Sequence, residues 1–253
     1  MATKPRFFRV CLDLNSTRYA ALSDARSAIL AFDSALGGCI AAVLDPALGK
    51  TASRVLETDR AQASKLMPMV QEVMEEAGIS FGDVSFIVTT NGPGSFTGLR
   101  IGLSAARAMA LALSVPLQGV STFAAMQASC DPKAPSLVVL ESKRKDYYVQ
   151  AFDGAGGMEG EPFCAEIEEI IEKAKGRIVC SDAGARLKAE GAGAFASLID
   201  RQLYDPLILL KLGEKAFQAA GGAAGPVEPF YMRGADVSVS KKVQREITGF
   251  PLQ

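Results

Sequence analysis

Short apolar runs alternate with stretches of helical periodicity along most of this chain. The first is Ser27-Ala28-Ile29-Leu30-Ala31-Phe32-Asp33, a short buried run that ends in an acid. The turn Leu36-Gly37-Gly38 and a second run, Cys39 to Leu44, make this a hairpin, and Ala52 to Glu57 alternates as a third strand. From Ala61 the spacing becomes helical, with Leu66, Val70, Val73 and Ala77 before Gly78, and Pro68 is expected to kink that helix or restart it.

A buried strand, Val84 to Thr90, then leads through the glycine-rich loop Asn91 to Gly98 into a helix that runs to about Ser114. Pro116 to Val120 reads as another strand and Thr122 to Ser129 as a helix. Ser136 to Glu141 and Tyr147 to Phe152 repeat the opening hairpin, so the fold reads as duplicated. Further on, Glu166 to Lys175 suits a helix, Arg177 to Cys180 a strand, and Pro206 to Ala220 a helix closed by Gly221-Gly222. The segment Gly221 to Pro229 reads as a Gly/Ala/Pro linker. The tail from Gly234 looks weakly structured, with a modest basic bias from Lys241, Lys242 and Arg245.

Composition narrows the chemistry. With 253 residues, 49% hydrophobic and 22% charged, the chain can build one large core or two small ones. A net charge of -1 gives no general attraction to a phosphate backbone, so any work on RNA would need another component to hold it. Zero histidine removes Ser-His-Asp and Cys-His chemistry. Cys11, Cys39, Cys130, Cys164 and Cys180 are odd in number and lack a C-x-x-C pair, which points to reduced thiols in a cytoplasmic protein, with neither a disulfide framework nor a zinc site. No run reaches the roughly 18 uninterrupted apolar residues of a membrane helix, and the richest, Ile101 to Leu113, is broken by Arg107. Residues 1–26 carry Lys4, Arg6, Arg9, Arg18 and Arg26 against Asp13 and Asp24, a bias shared by transit peptides and plain extensions; the extension is the simpler reading.

The segment Asn91-Gly92-Pro93-Gly94-Ser95-Phe96-Thr97-Gly98-Leu99-Arg100 lies where backbone N-H groups and a helix dipole can hold phosphate. It lacks the P-loop lysine near Gly98, and as G-x-G-x-x-G it fails at Thr97, its third glycine coming one residue late. The competing reading is a tight turn at Gly92 and Gly94 with Ser95 or Thr97 capping the helix. Gly98, Gly102, Ala106 and Ala110 then form a strip without bulky side chains, beside a face carrying Arg100, Ser104 and Arg107. An internal helix contact with solvated arginines and a docking face for a partner helix both fit.

Taken together, Ile29-Leu30-Ala31-Phe32-Asp33-Ser34, the string Gly92-Pro93-Gly94-Ser95-Phe96-Thr97-Gly98-Leu99-Arg100-Ile101-Gly102, and Gly119-Val120-Ser121-Thr122 resemble the TsaB (YeaZ) family. Weaker likeness extends over residues 28 to about 233, through Leu66-Met67-Pro68 and Pro229-Phe230-Tyr231-Met232-Arg233. Two departures stand out: Gln62 replaces a usual histidine, and Glu141-Ser142-Lys143 replaces Asp-Ala-Arg.

The resemblance implies a two-lobed α/β fold, actin-like and Hsp70-like (ribonuclease H-like), with mixed sheets flanked by helices. The lobes are expected at 27–121 and 122–233, a C-terminal helix packing back on the first, with an extension at 1–26 and a tail at 234–253. It also implies a non-catalytic subunit without metal or cofactor of its own. Its implied partners are a TsaD-like paralogue, which would hold the metal and transfer threonylcarbamoyl to adenosine 37 of ANN-decoding tRNAs, a TsaE-like ATPase, and a second copy of itself. Transfer RNA would enter only through the complex, with no membrane. The implied partner interface draws on Gln62, Leu66, Met69, Val73, Gly98, Arg100, Gly102 and Ala106; Met67, Met69 and Met74 suit such a surface or a core. Gly92, Pro93, Gly94, Ser95 and Thr97 would form a structural loop, with Asp33 and Ser34 at a vestigial cleft. The alternative is an independent actin-fold kinase or ATPase, with Asp33 as base or metal carboxylate and Gly92 to Gly98 holding phosphate. A peptidase finds no convergent spacing to support it.

Overall fold

The computed structural model describes residues 26–58, 60–222 and 225–233. The expectations for residues 1–25 and for the tail 234–253 lie outside them.

Strands β1 (Ala28–Asp33), β2 (Gly38–Asp45) and β3 (Lys50–Glu57) form an antiparallel meander. Helix α1 (Gln62–Ala77) then leads to β4 (Val84–Gly92), α2 (Phe96–Leu113) and β5 (Leu117–Ser121), and β1, β4 and β5 pair in parallel. Helix α3 (Thr122–Cys130) leads to β6 (Ser136–Glu141), β7 (Tyr147–Phe152) and β8 (Met158–Ala165). After these come α4 (Ile167–Lys173), β9 (Ile178–Ser181), α5 (Gly184–Glu190), β10 (Leu198–Asp200) and α6 (Pro206–Ala219).

The first sheet has the order β3-β2-β1-β4-β5 and the second β10-β9-β6-β7-β8, which read from the other edge is the same topology. The duplication is therefore complete: β6 repeats β1, β9 repeats β4, and α4, α5 and α6 repeat α1, α2 and α3. This is the two-lobed mixed-sheet architecture expected from the sequence.

Period-two alternation explains why β1 reads as an unbroken apolar run. Ala28, Leu30 and Phe32 pack with α1 and α2 on one face, while Ile29 and Ala31 join the central core on the other. That core also takes Val138, Leu140 and Cys180 from the second sheet, with Phe123 and Met126 of α3 between the sheets. A third cluster, including Leu137, Val139, Ile170 and Leu187, holds α4 and α5 on the far face of the second sheet.

Helix α1 runs through Pro68 without a restart. Ser64 and Pro68 both sit on its exposed side, so the carbonyl that proline leaves without an intrahelical donor faces water. Helix α2 is long and apolar enough, by length and composition, to cross a membrane, but Leu99, Leu103, Ala106 and Ala110 are buried in the protein's own core. Helix α6 lies across the first sheet: Phe217 stacks on Phe86 with centroids 4.5 Å apart, and Gly213 lets the helix approach Val88, which a Cβ would meet at 2.3 Å. Phe217→Ala should lower stability by about 3–5 kcal/mol, read as a reduced midpoint in urea unfolding with an unchanged slope.

Candidate functional site

Asp33 ends β1, is almost wholly buried, and both of its carboxylate oxygens are engaged. The Thr90 hydroxyl donates to Oδ1 at 2.6 Å; Oδ2 accepts from the Ala35 amide at 2.7 Å and from the Tyr204 hydroxyl at 2.5 Å. Burial pushes the Asp33 carboxyl above its ordinary range, and the donors from Thr90, Tyr204 and Ala35 pull it back only in part. Burial and the Asp33 charge push Tyr204 well above its own range, which keeps the phenol a donor. A cation or a substrate hydroxyl would reach Asp33 only by displacing one of these groups. Sequence reasoning found Asp33 but missed Tyr204, which lies 171 positions away with no local pattern to mark it.

The glycine loop is packed against the chain's own backbone. Ser95 is the N-cap of α2: its side chain accepts from the Gly98 amide, and its own amide donates to the Ala35 carbonyl at 2.7 Å. A Cβ on Gly94 would stand 2.5 Å from the Ala35 oxygen, and one on Gly98 would stand 2.1 Å from the Ser34 oxygen. Gly92 has φ 112° and faces the Phe230 carbonyl, while the Phe230 amide donates to the Asn91 carbonyl at 2.6 Å. Ser34 completes the junction by donating its hydroxyl to the Gly98 carbonyl at 2.8 Å. Pro93 is buried and Thr97 exposed, so capping falls to Ser95 alone.

The strip Gly98, Gly102, Ala106 and Ala110 faces inward. Gly102 sits against Ser34, whose amide nitrogen and hydroxyl a Cβ would meet at 3.3 Å. Leu66, Met69, Val73 and Ala106 are buried in the core beneath α1 and α2. The expectation that Leu66, Met69, Val73, Gly98, Gly102 and Ala106 present themselves to a partner is thus corrected: Gly98 and Gly102 seat α2 against Ser34 at the end of β1, and Ala106 and Ala110 join the core under α1. Met69 and Met74 are core residues while Met67 is 39% exposed; Gln62 is half-buried and Arg100 exposed.

The arginines of α2 hold the chain at 227–231, the end of the segment read as a linker and the residues just beyond it. The Arg100 guanidinium lies 3.7 Å over the Phe96 ring and its Nε donates to the Tyr231 hydroxyl at 3.1 Å. Arg107 donates to the Val227 carbonyl and pairs with Glu228 at 3.4 Å. Val227 covers Gly119, and Arg233 pairs with Asp146 of the second lobe. Residues 225–233 are a strap bound along α2.

In the second lobe, Glu141 occupies the place of Asp33. It accepts from Arg186 at 2.8 Å and from the Lys143 amide at 2.7 Å, and its own amide donates to Asp182 Oδ1 at 2.8 Å. Burial, reinforced by the Glu141 charge, pushes the Asp182 carboxyl up to about 7. Among the described residues, no three His, Cys, Asp or Glu side chains converge as a metal site would require.

A family model described as "TsaD: tRNA N6-adenosine threonylcarbamoyltransferase" matches residues 56–174. The tRNA threonylcarbamoyladenosine biosynthesis protein TsaB of Escherichia coli (strain K12) is 36% identical over 98 residues, covering 39% of this chain and 42% of that relative's length. An uncharacterized protein of Mycobacterium tuberculosis (strain ATCC 25618 / H37Rv) is 27% identical over 212 residues, covering 83% of this chain and 93% of the relative. A solved structure from Pseudomonas aeruginosa, described as an uncharacterized protein with similarity to peptidase YEAZ, superposes with a TM-score of 0.69 at 25% identity, over 82% of this chain and all of that one.

Tyr204→Phe removes a hydrogen bond to a buried carboxylate and should cost about 1.5–3 kcal/mol in urea unfolding; a change within error would mean that Thr90 and Ala35 suffice. Asp182 sets a pH dependence. The unfolded chain gives up this proton near pH 4, the folded chain only near about 7, so the Asp182 contribution to stability is present below pH 4 and lost as pH rises towards 7. Asp182→Asn keeps the acceptor for the Glu141 amide and should flatten that decline; an unaltered slope would exclude Asp182 as its source.

Proposed function

We propose that this chain, which belongs to the TsaB (YeaZ) family, serves tRNA threonylcarbamoyladenosine biosynthesis as a partner subunit without chemistry of its own. The observation that carries the reading is the closed Asp33 junction. The carboxylate that an actin-fold kinase or ATPase would turn towards a cation or a substrate is held by Thr90, Ala35 and Tyr204. The glycine loop beside it is filled by the backbones of Ser34 and Ala35. Both features weigh against the independent kinase or ATPase.

The partner is a TsaD-like paralogue that carries the metal and the transfer step. A TsaE-like ATPase joins the assembly, and tRNA enters through it, in the cytoplasm. Contact is made by the outer surfaces of α1 and α2, where Met67, Phe96 and Leu111 are 39%, 51% and 82% exposed and Gln62 and Arg100 also reach the surface. Apolar anchors beside an arginine are the residue types that concentrate binding energy in protein interfaces.

The test is co-purification with the cognate TsaD-like protein, read by size-exclusion chromatography with light scattering. Gly102→Leu would crowd Ser34 and report folding instead of docking, so the informative variants are Met67→Asp and Leu111→Asp, both at exposed positions. Wild-type protein should form a heterodimer, and at least one variant should weaken it by about tenfold or more while keeping the native circular dichroism. No wild-type complex would overturn the subunit reading, and full binding by both variants would overturn the proposed surface.

A further inference from the structure

Phe96, Arg100, Arg107 and Leu111 recur at helical spacing and form one stripe down the outer side of α2. The two cations of that stripe differ. Arg107 is neutralised within the fold by Glu228 and also donates to the Val227 carbonyl. Arg54, Arg177, Arg186 and Arg233 likewise pair with carboxylates of the protein, but among the described residues Arg100 has no such partner. It is held in place all the same. Its guanidinium carbon stands 3.7 Å from the Phe96 ring centroid, and its Nε donates to the Tyr231 hydroxyl at 3.1 Å. The Phe96 and Tyr231 rings lie 5.6 Å apart, and the strap is pinned beside Tyr231 by the Phe230 amide, which donates to the Asn91 carbonyl at 2.6 Å.

Ordering an arginine costs rotamer entropy, and no ion pair inside the described fold offsets it here. With Nε on the tyrosine and one face on Phe96, the outer edge of the guanidinium is Nη1 and Nη2, whose parallel N–H groups match the two oxygens of a carboxylate end-on. We propose, resting on the subunit reading above, that Arg100 clamps a single aspartate or glutamate of the TsaD-like partner and that Tyr231 of the strap is the residue that positions it.

The surroundings favour a protein carboxylate over an RNA phosphate. A surface that follows a phosphate backbone repeats its cations. In this stripe the second arginine is already neutralised, Phe96 and Leu111 are 51% and 82% exposed, and the whole chain carries a net charge of -1. One arginine among apolar anchors is the composition of a protein interface. Covering Phe96 and Leu111 would exclude water from the ion pair, and the planar fork fixes the direction of approach in a way that a lysine ammonium does not.

The test is calorimetric titration of the full chain with the cognate TsaD-like protein, comparing Arg100→Gln, Arg100→Lys and Tyr231→Phe with Met67→Asp and Leu111→Asp. Arg100→Gln should weaken the heterodimer by about thirtyfold or more and flatten its dependence on salt. Arg100→Lys should recover only a small part of that loss. Tyr231→Phe removes the hydroxyl alone and should weaken binding by about threefold to tenfold. In the Arg100→Gln background the same change should have no effect, a coupling that a merely structural tyrosine would not show. Carbodiimide treatment of the Arg100→Lys complex should join position 100 to an aspartate or glutamate of the partner.

Wild-type affinity in Arg100→Gln, with Met67→Asp or Leu111→Asp still impaired, would overturn the clamp and leave the docking surface standing. A loss confined to tRNA binding or to self-association, with the heterodimer intact, would overturn it equally. The same loss from Tyr231→Phe in both backgrounds would remove the positioning role. If wild-type protein forms no heterodimer at all, the subunit reading falls and the clamp falls with it.

Discussion

A buried carboxylate costs several kcal/mol to desolvate and is tolerated only where donors surround it, and in this protein Asp33 draws its donors from three separate segments. Ala35 comes from the turn after β1, Thr90 from β4, and Tyr204 from the chain returning from the second sheet. Displacing Tyr204 would leave a buried charge short of a partner, so the junction acts as a specifier of geometry more than as a source of net stability. Its effect propagates through the next residue: the Asp205 amide donates to the Ser129 hydroxyl, and the Asp205 side chain caps α6 by accepting from the Leu207 amide. The start of α6 is thus fixed against both β1 and α3, which directs the helix across the first sheet and brings Phe217 onto Phe86.

Once Asp33 is fixed, Ser34 and Ala35 must pass beneath the first turns of α2. There is no space between them for a side chain at positions 94 and 98. The glycines of this string permit close approach to the chain's own backbone, which explains why they sit between a strand and a helix without the lysine or the third-glycine spacing of a phosphate loop. The strap at 225–233 extends the arrangement, Phe230 meeting Gly92 and Val227 meeting Gly119.

The repeated hairpin was legible because strands buried on both faces announce themselves as apolar runs, and from it the duplicated topology could be read. Elements that escaped notice are those at the margins of the second sheet. Strand β8 is mostly exposed and carries Glu159 and Glu161, β10 spans only three residues, and α5 opens on a glycine and carries Arg186, Lys188 and Glu190. None has the periodicity that burial imposes. At the site, Asp33 and the glycine string were visible as residue types, but Tyr204 was not, and Tyr231 was noted without its contact to Arg100, since both roles depend on contacts across the fold. The strip from Gly98 to Ala110 was visible and its partner was not: i, i+4 spacing reports that something approaches closely, without saying whether it is the same chain.

Inward packing accounts for the small residues of α2, so the case for a partner rests on its outer side. There Leu111 is 82% exposed, and Arg100 lies over the Phe96 ring with Tyr231 packed beside both, an arrangement already formed in the free chain. A surface ordered in advance loses less side-chain entropy when it is covered. Duplication supplies the control, because the second lobe places its own helices in the same layer. Helix α4 opens with Glu168 and Glu169, and α5 is seven residues long, with Arg186 bound to Glu141 and Glu190. Those helices cover their sheet with charge, whereas the equivalent layer of the first lobe offers long helices with exposed apolar anchors. A protein partner that binds by burying apolar surface therefore gains more from the first lobe, and the asymmetry between two lobes of one topology is the physical argument for docking there.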